Sequence, residues 1–156
     1  MSELIVFAFE NETGAKELET GLVAAQADQE LRVNDAALVV RQEDGRPILN
    51  HAANLVGRGS LGGIFWGFIL ALVFWTKWWG LSVGGALGDL GLDDDFVKEV
   101  GESVEKGHSA LLILVEDGMV ESALDKAGEY NPQVMRTAFS KEDQKVLQTI
   151  FQASRE

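Results

Sequence analysis

The chain has 156 residues and a formal net charge of −12, and 46% of its residues are hydrophobic. This composition is typical of a globular domain. The charge argues against nucleic acid and against electrostatic docking on anionic lipid, because both need clustered Lys and Arg. The chain has no cysteine, which excludes disulfides, thiolate catalysis and cysteine metal sites.

The first 56 residues predict strands around one amphipathic helix. Residues 4–9 (LIVFAF) form a continuous apolar run, consistent with a central strand. Asn11 or Thr13 is positioned to cap the following helix. Its inward stripe is Ala15, Leu18, Leu22 and Ala25. Residues 36–40 predict a second strand, which a turn at residues 43–45 joins to a returning strand at 47–49.

The last 64 residues repeat this order after an opening helix. Asp93, Asp94 and Asp95 begin that helix, and residues 110–115 (ALLILV) predict a buried strand. The apolar side of the helix is Phe96, Val97, Val100 and Val104.

A further helix is expected at residues 119–129 and a strand at 134–139, separated by a break at Asn131-Pro132. The inward residues of that helix are Val120, Ala123, Leu124 and Ala127. Ser140 then caps a C-terminal helix. Its apolar face is Val146, Leu147, Ile150 and Phe151.

Two β-α-β units in one small chain predict an α+β fold, a ferredoxin-like sheet with helices on one face. We expect residues 1–56 to form its first half. An apolar helical hairpin, residues 57–92, is inserted next. Residues 93–156 then form a helix, the second half of the sheet and the C-terminal helix.

Residues 57–92, called here the apolar segment, differ from the rest of the chain in charge. Lys77 is the sole formal charge between Gly59 and Gly88. The first arm, residues 60–76, would span about 25 Å as a helix, which is short for a hydrocarbon core of roughly 30 Å. The second arm, residues 80–92, is shorter still, so a one-leaflet hairpin is as compatible with the pattern as two full spans.

Small residues recur every four positions in both arms, which places them on one face of each helix and lets backbones approach closely. We call this set the glycine face. It comprises Gly59, Gly63, Gly67, Ala71, Gly80, Gly84 and Gly88.

Bulky residues occupy the other side of the first arm and the bend after it. The tryptophans around Lys77 are typical of a membrane interface, although this side could equally contact a partner helix. We call these residues the interface set. It comprises Phe65, Trp66, Phe68, Leu72, Trp75, Lys77, Trp78 and Trp79.

Catalytic patterns are weak. Residues 57–62 match G-x-G-x-x-G, but Lys77 stands near the position where dinucleotide binding requires an acid. Asp93 to Asp95, with Glu99 and Glu102, favour helix capping over calcium, since no EF-hand spacing is present. His51 and His108 have no metal or triad spacing. We therefore expect no catalytic residue, cofactor, metal or small-molecule substrate.

Several segments resemble one prokaryotic family. They are LIVFAF, DAALVVRQEDG, the apolar segment, LGLDDDFVKEVGESVEKGHSALLILVED and VMRTAFSKED, which together span nearly the whole chain. The chain resembles domain-of-unknown-function family twelve sixty-nine, whose members are usually labelled membrane proteins. The resemblance implies membrane association, but it implies no activity, cofactor or functional residue.

The apolar segment lies between two charged parts of the chain. This arrangement predicts a self-associating protein without enzymatic activity. The N-terminus lacks the basic region of a signal peptide, so we expect the cytoplasmic face of a membrane or a cytoplasmic assembly. Its partners would be lipid and further copies of the chain. The alternative is a soluble homo-oligomeric ring or shell with hairpins buried between subunits. The simplest interpretation of the pattern is a central helix pair inside a soluble domain.

Overall fold

A computed structural model of the chain describes residues 2–44, 47–51 and 94–139. These residues form a mixed α+β fold. The elements are β1 (Ser2–Phe9), α1 (Gly14–Ala27), β2 (Asp35–Arg41), β3 (Pro47–His51), α2 (Asp94–Ser103), β4 (Ser109–Glu116), a 3-10 turn (Asp117–Met119), α3 (Val120–Gly128) and β5 (Gln133–Phe139). Each strand expected within the described residues is present, and the returning strand extends to His51.

The five strands form one sheet in the order β3-β2-β4-β1-β5, and every neighbouring pair is antiparallel. β4 therefore separates β1 from β2, which run parallel to each other and are joined by α1. β1 likewise separates β4 from β5, which are joined by α3. The four strands β2, β4, β1 and β5 form the body of the sheet, and β3 extends it at one edge.

One face of the sheet packs against α1 and α3. Alternate residues of β1 and β4, among them Phe7 and Ile113, enter a buried cluster with both helices. The four residues of the predicted α1 stripe all belong to it and are buried. Of the four inward residues predicted for α3, Val120, Ala123 and Ala127 also belong to the cluster and are buried. The fourth, Leu124, is partly buried against it. Side-chain period thus predicted the inward faces of both helices.

The other face of the sheet is apolar as well. Leu4 and Val6 of β1 and Leu112 and Leu114 of β4 point to this second face and are buried. α2 packs against β5 and β1. Its Val100, and Val104 directly after it, are buried outside the first cluster. α1 and α3, the helices of the two predicted β-α-β units, thus share one face, and α2 packs on part of the other. β1 and β4 have apolar residues at successive positions, so both faces must be covered.

The turn before α1 decides between the two predicted caps. Thr13 occupies the N-cap position without a side-chain capping bond. The Asn11 side-chain Oδ1 instead accepts hydrogen bonds from the backbone N–H groups of Gly14, at 2.5 Å, and Thr13, at 3.1 Å. The cap predicted at Asn11 is confirmed. Its amide oxygen satisfies a helix donor that would otherwise lack a partner.

Candidate functional site

The residues predicted to mediate packing and membrane contact lie in one stretch of sequence. The glycine face and the interface set both fall between Gly59 and Gly88, outside the described residues. The predicted C-terminal helix from Ser140 lies outside them too. These assignments stay predictions. Within the described parts of the chain, no helix is long and apolar enough to cross a membrane.

The described residues fix the two points at which the apolar segment joins the domain. The chain leaves β3 after His51 and re-enters at Asp94, the first residue of α2. β3 is an edge strand, and its pairing with β2 ends at His51 opposite Ala37. The central strands β1 and β4 pair along their full length, from Ser2 to Phe9, without involving this connection.

The strand register also defines two ends of the sheet. β1 begins at Ser2, directly opposite the last residues of β4 and β5. β3 runs antiparallel to β2, which begins at this end as well, so β3 ends there. The apolar segment is thus attached at the end of the sheet that carries Ser2. The opposite end carries Phe9 and Ser109.

An open cleft of about 790 Å³ lies at the Phe9 end. Its described lining includes Glu10 from the turn after β1, Glu99 and Glu102 from α2, and Glu105 and His108 from the loop before β4. These lining residues include four carboxylates and neither Lys nor Arg. Such a surface favours cations over anions. No group of three or more His, Asp or Glu in the described ranges is arranged to hold a metal ion.

A fully buried hydroxyl holds one wall of this cleft. Ser109 Oγ donates a hydrogen bond to the backbone oxygen of Asn11 at 2.7 Å and accepts one from the backbone N–H of Ala15 at 3.1 Å. It therefore connects the start of β4 to the turn before α1 and to the first turn of that helix. Buried polar groups of this kind stabilise a structure when every partner is satisfied.

The loop between α2 and β4 contributes Glu105 and His108 to the lining. His108 Nδ1 lies 3.1 Å from the backbone oxygen of Ser103. Gly107 adopts a φ of +78°, in the left-handed region that favours glycine, and its N–H donates to the Arg41 carbonyl. An Arg41 guanidinium nitrogen donates to the Val104 carbonyl at 2.8 Å. The loop is thus tied to β2 by backbone and side-chain bonds.

Two ion pairs reinforce the surface between elements. Arg136 of β5 contacts Glu3 of β1, with Nη2 donating to Oε2 at 3.2 Å. Lys126 of α3 pairs with Glu30, which follows α1. The hydrogen bond and the charge of Glu30 raise the pKa of Lys126 above its ordinary value of 10.5. Such exposed pairs contribute little each, so they support the packing rather than create it.

Sequence reasoning identified part of the cleft and missed the rest. Glu99 and Glu102 were singled out as helix-capping acids, but both are exposed at the cleft. Glu10, Glu105 and Ser109 were not predicted as site residues. Glu10 lies in the turn after β1, whereas Glu105 lies in the loop before β4 and Ser109 is the first residue of β4. The sheet register brings these two segments together. The one local sequence feature that indicated this part of the structure was the polar Ser109 directly before a run of apolar residues.

Comparison with known proteins gives one family and no activity. The model of a family described as "Protein of unknown function (DUF1269)" matches residues 60–152. The match begins inside the apolar segment and covers α2, β4, α3 and β5. The match is therefore shorter than the family resemblance of the sequence segments, which extends to β1 and β2. No curated protein and no solved structure matches the chain.

Proposed function

Because the chain belongs to the family of proteins of unknown function DUF1269, which brings no activity with it, we propose a function from the residues themselves. The protein is a non-enzymatic, self-assembling protein of the cytoplasmic face of a cell membrane. Its apolar segment, residues 57–92, inserts in lipid, and the glycine face packs arm against arm and subunit against subunit.

The carrying observation is the sequence of the apolar segment. Lys77 is the single formal charge between Gly59 and Gly88, in a chain of net charge −12. So many glycines weaken a helix in water by up to about 1 kcal/mol each relative to alanine. Close packing between helices offsets that cost where small residues share one face.

The described residues support this proposal through the way the segment is attached. The sheet, α1 and α3 share a buried apolar cluster to which β1, β2, β4 and both helices contribute. The segment joins at edge strand β3 and at α2, so the central pairing of β1 with β4 does not depend on it. A domain of this kind can remain in water while an insertion from its edge enters another medium.

We also propose that the domain is ferredoxin-like. The support is the order β2-β4-β1-β5, in which two β-α-β units interleave, with α1 and α3 as their helices. β3 and α2 are additions to that plan. The boundaries at residues 56–57 and 92–93 belong to the same proposal and divide the domain into two halves around its insertion.

Vesicle flotation of the full-length chain tests the insertion. We expect the protein to float with phosphatidylcholine vesicles equally at about 0.1 M and about 1 M salt, because hydrophobic attachment is not screened. Phe68→Asp with Leu72→Asp should abolish flotation, since Asp costs about 2.5–3.5 kcal/mol at the centre of a bilayer. Ile48→Asp, at an exposed apolar residue of β3, is the matched control and should float normally. A wild-type chain that stays with the soluble fraction refutes insertion.

The soluble ring or shell remains a second candidate, because both arms are short for a bilayer. It predicts a large species in size-exclusion chromatography without detergent. Gly63→Leu with Gly67→Leu should dissociate that species by separating the helices. Gly118→Leu with Gly128→Leu is the control pair, since a Cβ at either position meets no atom within 4 Å. An assembly that survives the first pair of substitutions contradicts the glycine-face role in either candidate.

A further inference from the structure

The second face of the sheet needs a cover that α2 does not supply alone. α2 packs against β5 and β1, at one side of this face. At the other side, Ala37, Val39, Leu112 and Leu114 of β2 and β4 are at most 3% exposed. Apolar side chains that are buried this completely need cover over β2 and β4 as well.

We propose that residues 140–156, called here the C-terminal segment, form an amphipathic helix that covers the β2–β4 part of the second face of the same molecule. This inference goes beyond the proposed function and does not depend on membrane insertion. It assigns an intramolecular docking surface to the sheet and names its occupant. The occupant lies outside the described residues, so its helical form rests on its sequence.

The sequence pattern of the C-terminal segment is that of an amphipathic helix with one apolar and one polar side. Val146, Leu147, Ile150 and Phe151 fall within one stripe at helical spacing. Lys145 and Gln152 fall on the opposite side, where a helix lying on the sheet would meet water. A helix with this division buries its stripe against an apolar surface and keeps its polar side solvated.

The apolar segment fits that position poorly. Its first arm has bulky residues on one side, no charge between Gly59 and Thr76, and small residues on the other side. If that arm lay on the sheet, one of its two uncharged sides would still face water. A helix that is apolar all round requires burial all round, which a single sheet face cannot provide.

Length and position agree with the same occupant. The 17 residues of the C-terminal segment would span about 25 Å as a helix. The eight-residue β4 extends over about 27 Å, so one such helix covers its length. β5 ends at Phe139, opposite Ser2, and β4 lies two strands away, about 10 Å across the sheet. A short turn after Phe139 covers that distance.

Cysteine pairs in the full-length protein test the contact, because the natural chain has no cysteine that could react. Leu112→Cys or Leu114→Cys is combined with Leu147→Cys or Ile150→Cys, and each pair is treated with a mild oxidant or a short bis-maleimide. We expect at least one of these pairs to form an intramolecular cross-link several-fold more completely than the same strand cysteine combined with Gln152→Cys. A disulfide requires Cα atoms within about 7 Å, so the comparison is specific for the stripe.

Three outcomes overturn the proposal. In the first, the strand cysteine cross-links to Phe68→Cys of the apolar segment and not to the C-terminal segment. In the second, the cross-link forms only between two molecules. In the third, the strand cysteine reacts equally with the stripe cysteines and with Gln152→Cys. None of them is a flotation result, so failure here is distinguishable from failure of the membrane proposal.

A second measurement covers the case in which strand cysteines impair folding. Leu147→Asp with Ile150→Asp changes only the C-terminal segment and leaves the sheet intact. We expect these substitutions to raise binding of a hydrophobic dye several-fold and to accelerate amide hydrogen exchange in β2 and β4. Lys145→Asp with Gln152→Asp is the matched control and should change neither. Unchanged dye binding and exchange in the first variant would count against the docking surface.

Discussion

Replacing the buried hydroxyl of Ser109 tests how the cleft wall is held. The Ser109→Ala substitution removes one atom, which donates to the Asn11 carbonyl at 2.7 Å and accepts from the Ala15 N–H at 3.1 Å. Ser109 and Ala15 are both fully buried. No apolar atom is lost, so the change isolates two hydrogen bonds from packing.

The expected magnitude follows from what each partner loses. A buried donor left without an acceptor costs about 1–3 kcal/mol, which applies to the Ala15 N–H. Asn11 is an exposed residue, so water can replace Ser109 at its carbonyl and the cost there is small. We therefore expect the free energy of unfolding to fall by about 2 kcal/mol, which corresponds to a decrease in Tm of roughly 4–8 °C for a chain of this size.

Urea denaturation followed by circular dichroism measures the loss, and amide hydrogen exchange locates it. Protection should decrease first at Ala15 and in the first turn of α1. Thr20→Ala serves as the control, because the Thr20 hydroxyl donates to the Lys16 carbonyl at an exposed position. It should change stability by no more than about 0.5 kcal/mol. A Ser109→Ala variant that matches this control would refute the reasoning.

Two further predictions concern packing between α1 and α3. A Cβ at Gly21 would collide with the hydroxyl end of Tyr130, so Gly21→Ala should displace that ring and lower Tm, whereas Gly128→Ala, with open space around it, should not. Because Glu30 raises the pKa of Lys126 above 10.5, the stabilisation from this pair is complete below pH 10.5 and is lost as the pH rises through the raised value. Urea titrations at about pH 10 and about pH 12 should therefore show a smaller loss of stability in Lys126→Met than in the wild type.

Local sequence pattern predicted the elements of the domain well. The continuous runs in β1 and β4 and the helical stripe of α1 determine where these residues are buried, because side-chain period alone assigns a face. Gly45 and Pro47 correctly indicated the return of the chain into β3. The start of α3 was placed at Met119, one residue early, since a 3-10 turn occupies residues 117–119.

Features that depend on distant contacts could not be predicted in this way. Glu10 and Glu105 line the same cleft because β1 pairs with β4. The continuous apolar runs of β1 and β4 indicate that both sheet faces are covered, but the packing of α2 on the second face depends on contacts between distant segments. For the glycine face and the interface set, the sequence remains the whole of the evidence.

The attachment of residues 52–93 at edge strand β3 has a consequence for protein engineering. A connection that begins at the edge of a sheet can change in length while the inner hydrogen bonds stay the same, and each doubling of a flexible loop costs only about 0.6 kcal/mol. Residues 52–93 are therefore a suitable place to replace one inserted sequence by another. A short polar linker, a fluorescent reporter or a foreign transmembrane hairpin placed there would convert the sheet domain into a portable carrier, which would separate the properties of the domain from those of its insertion.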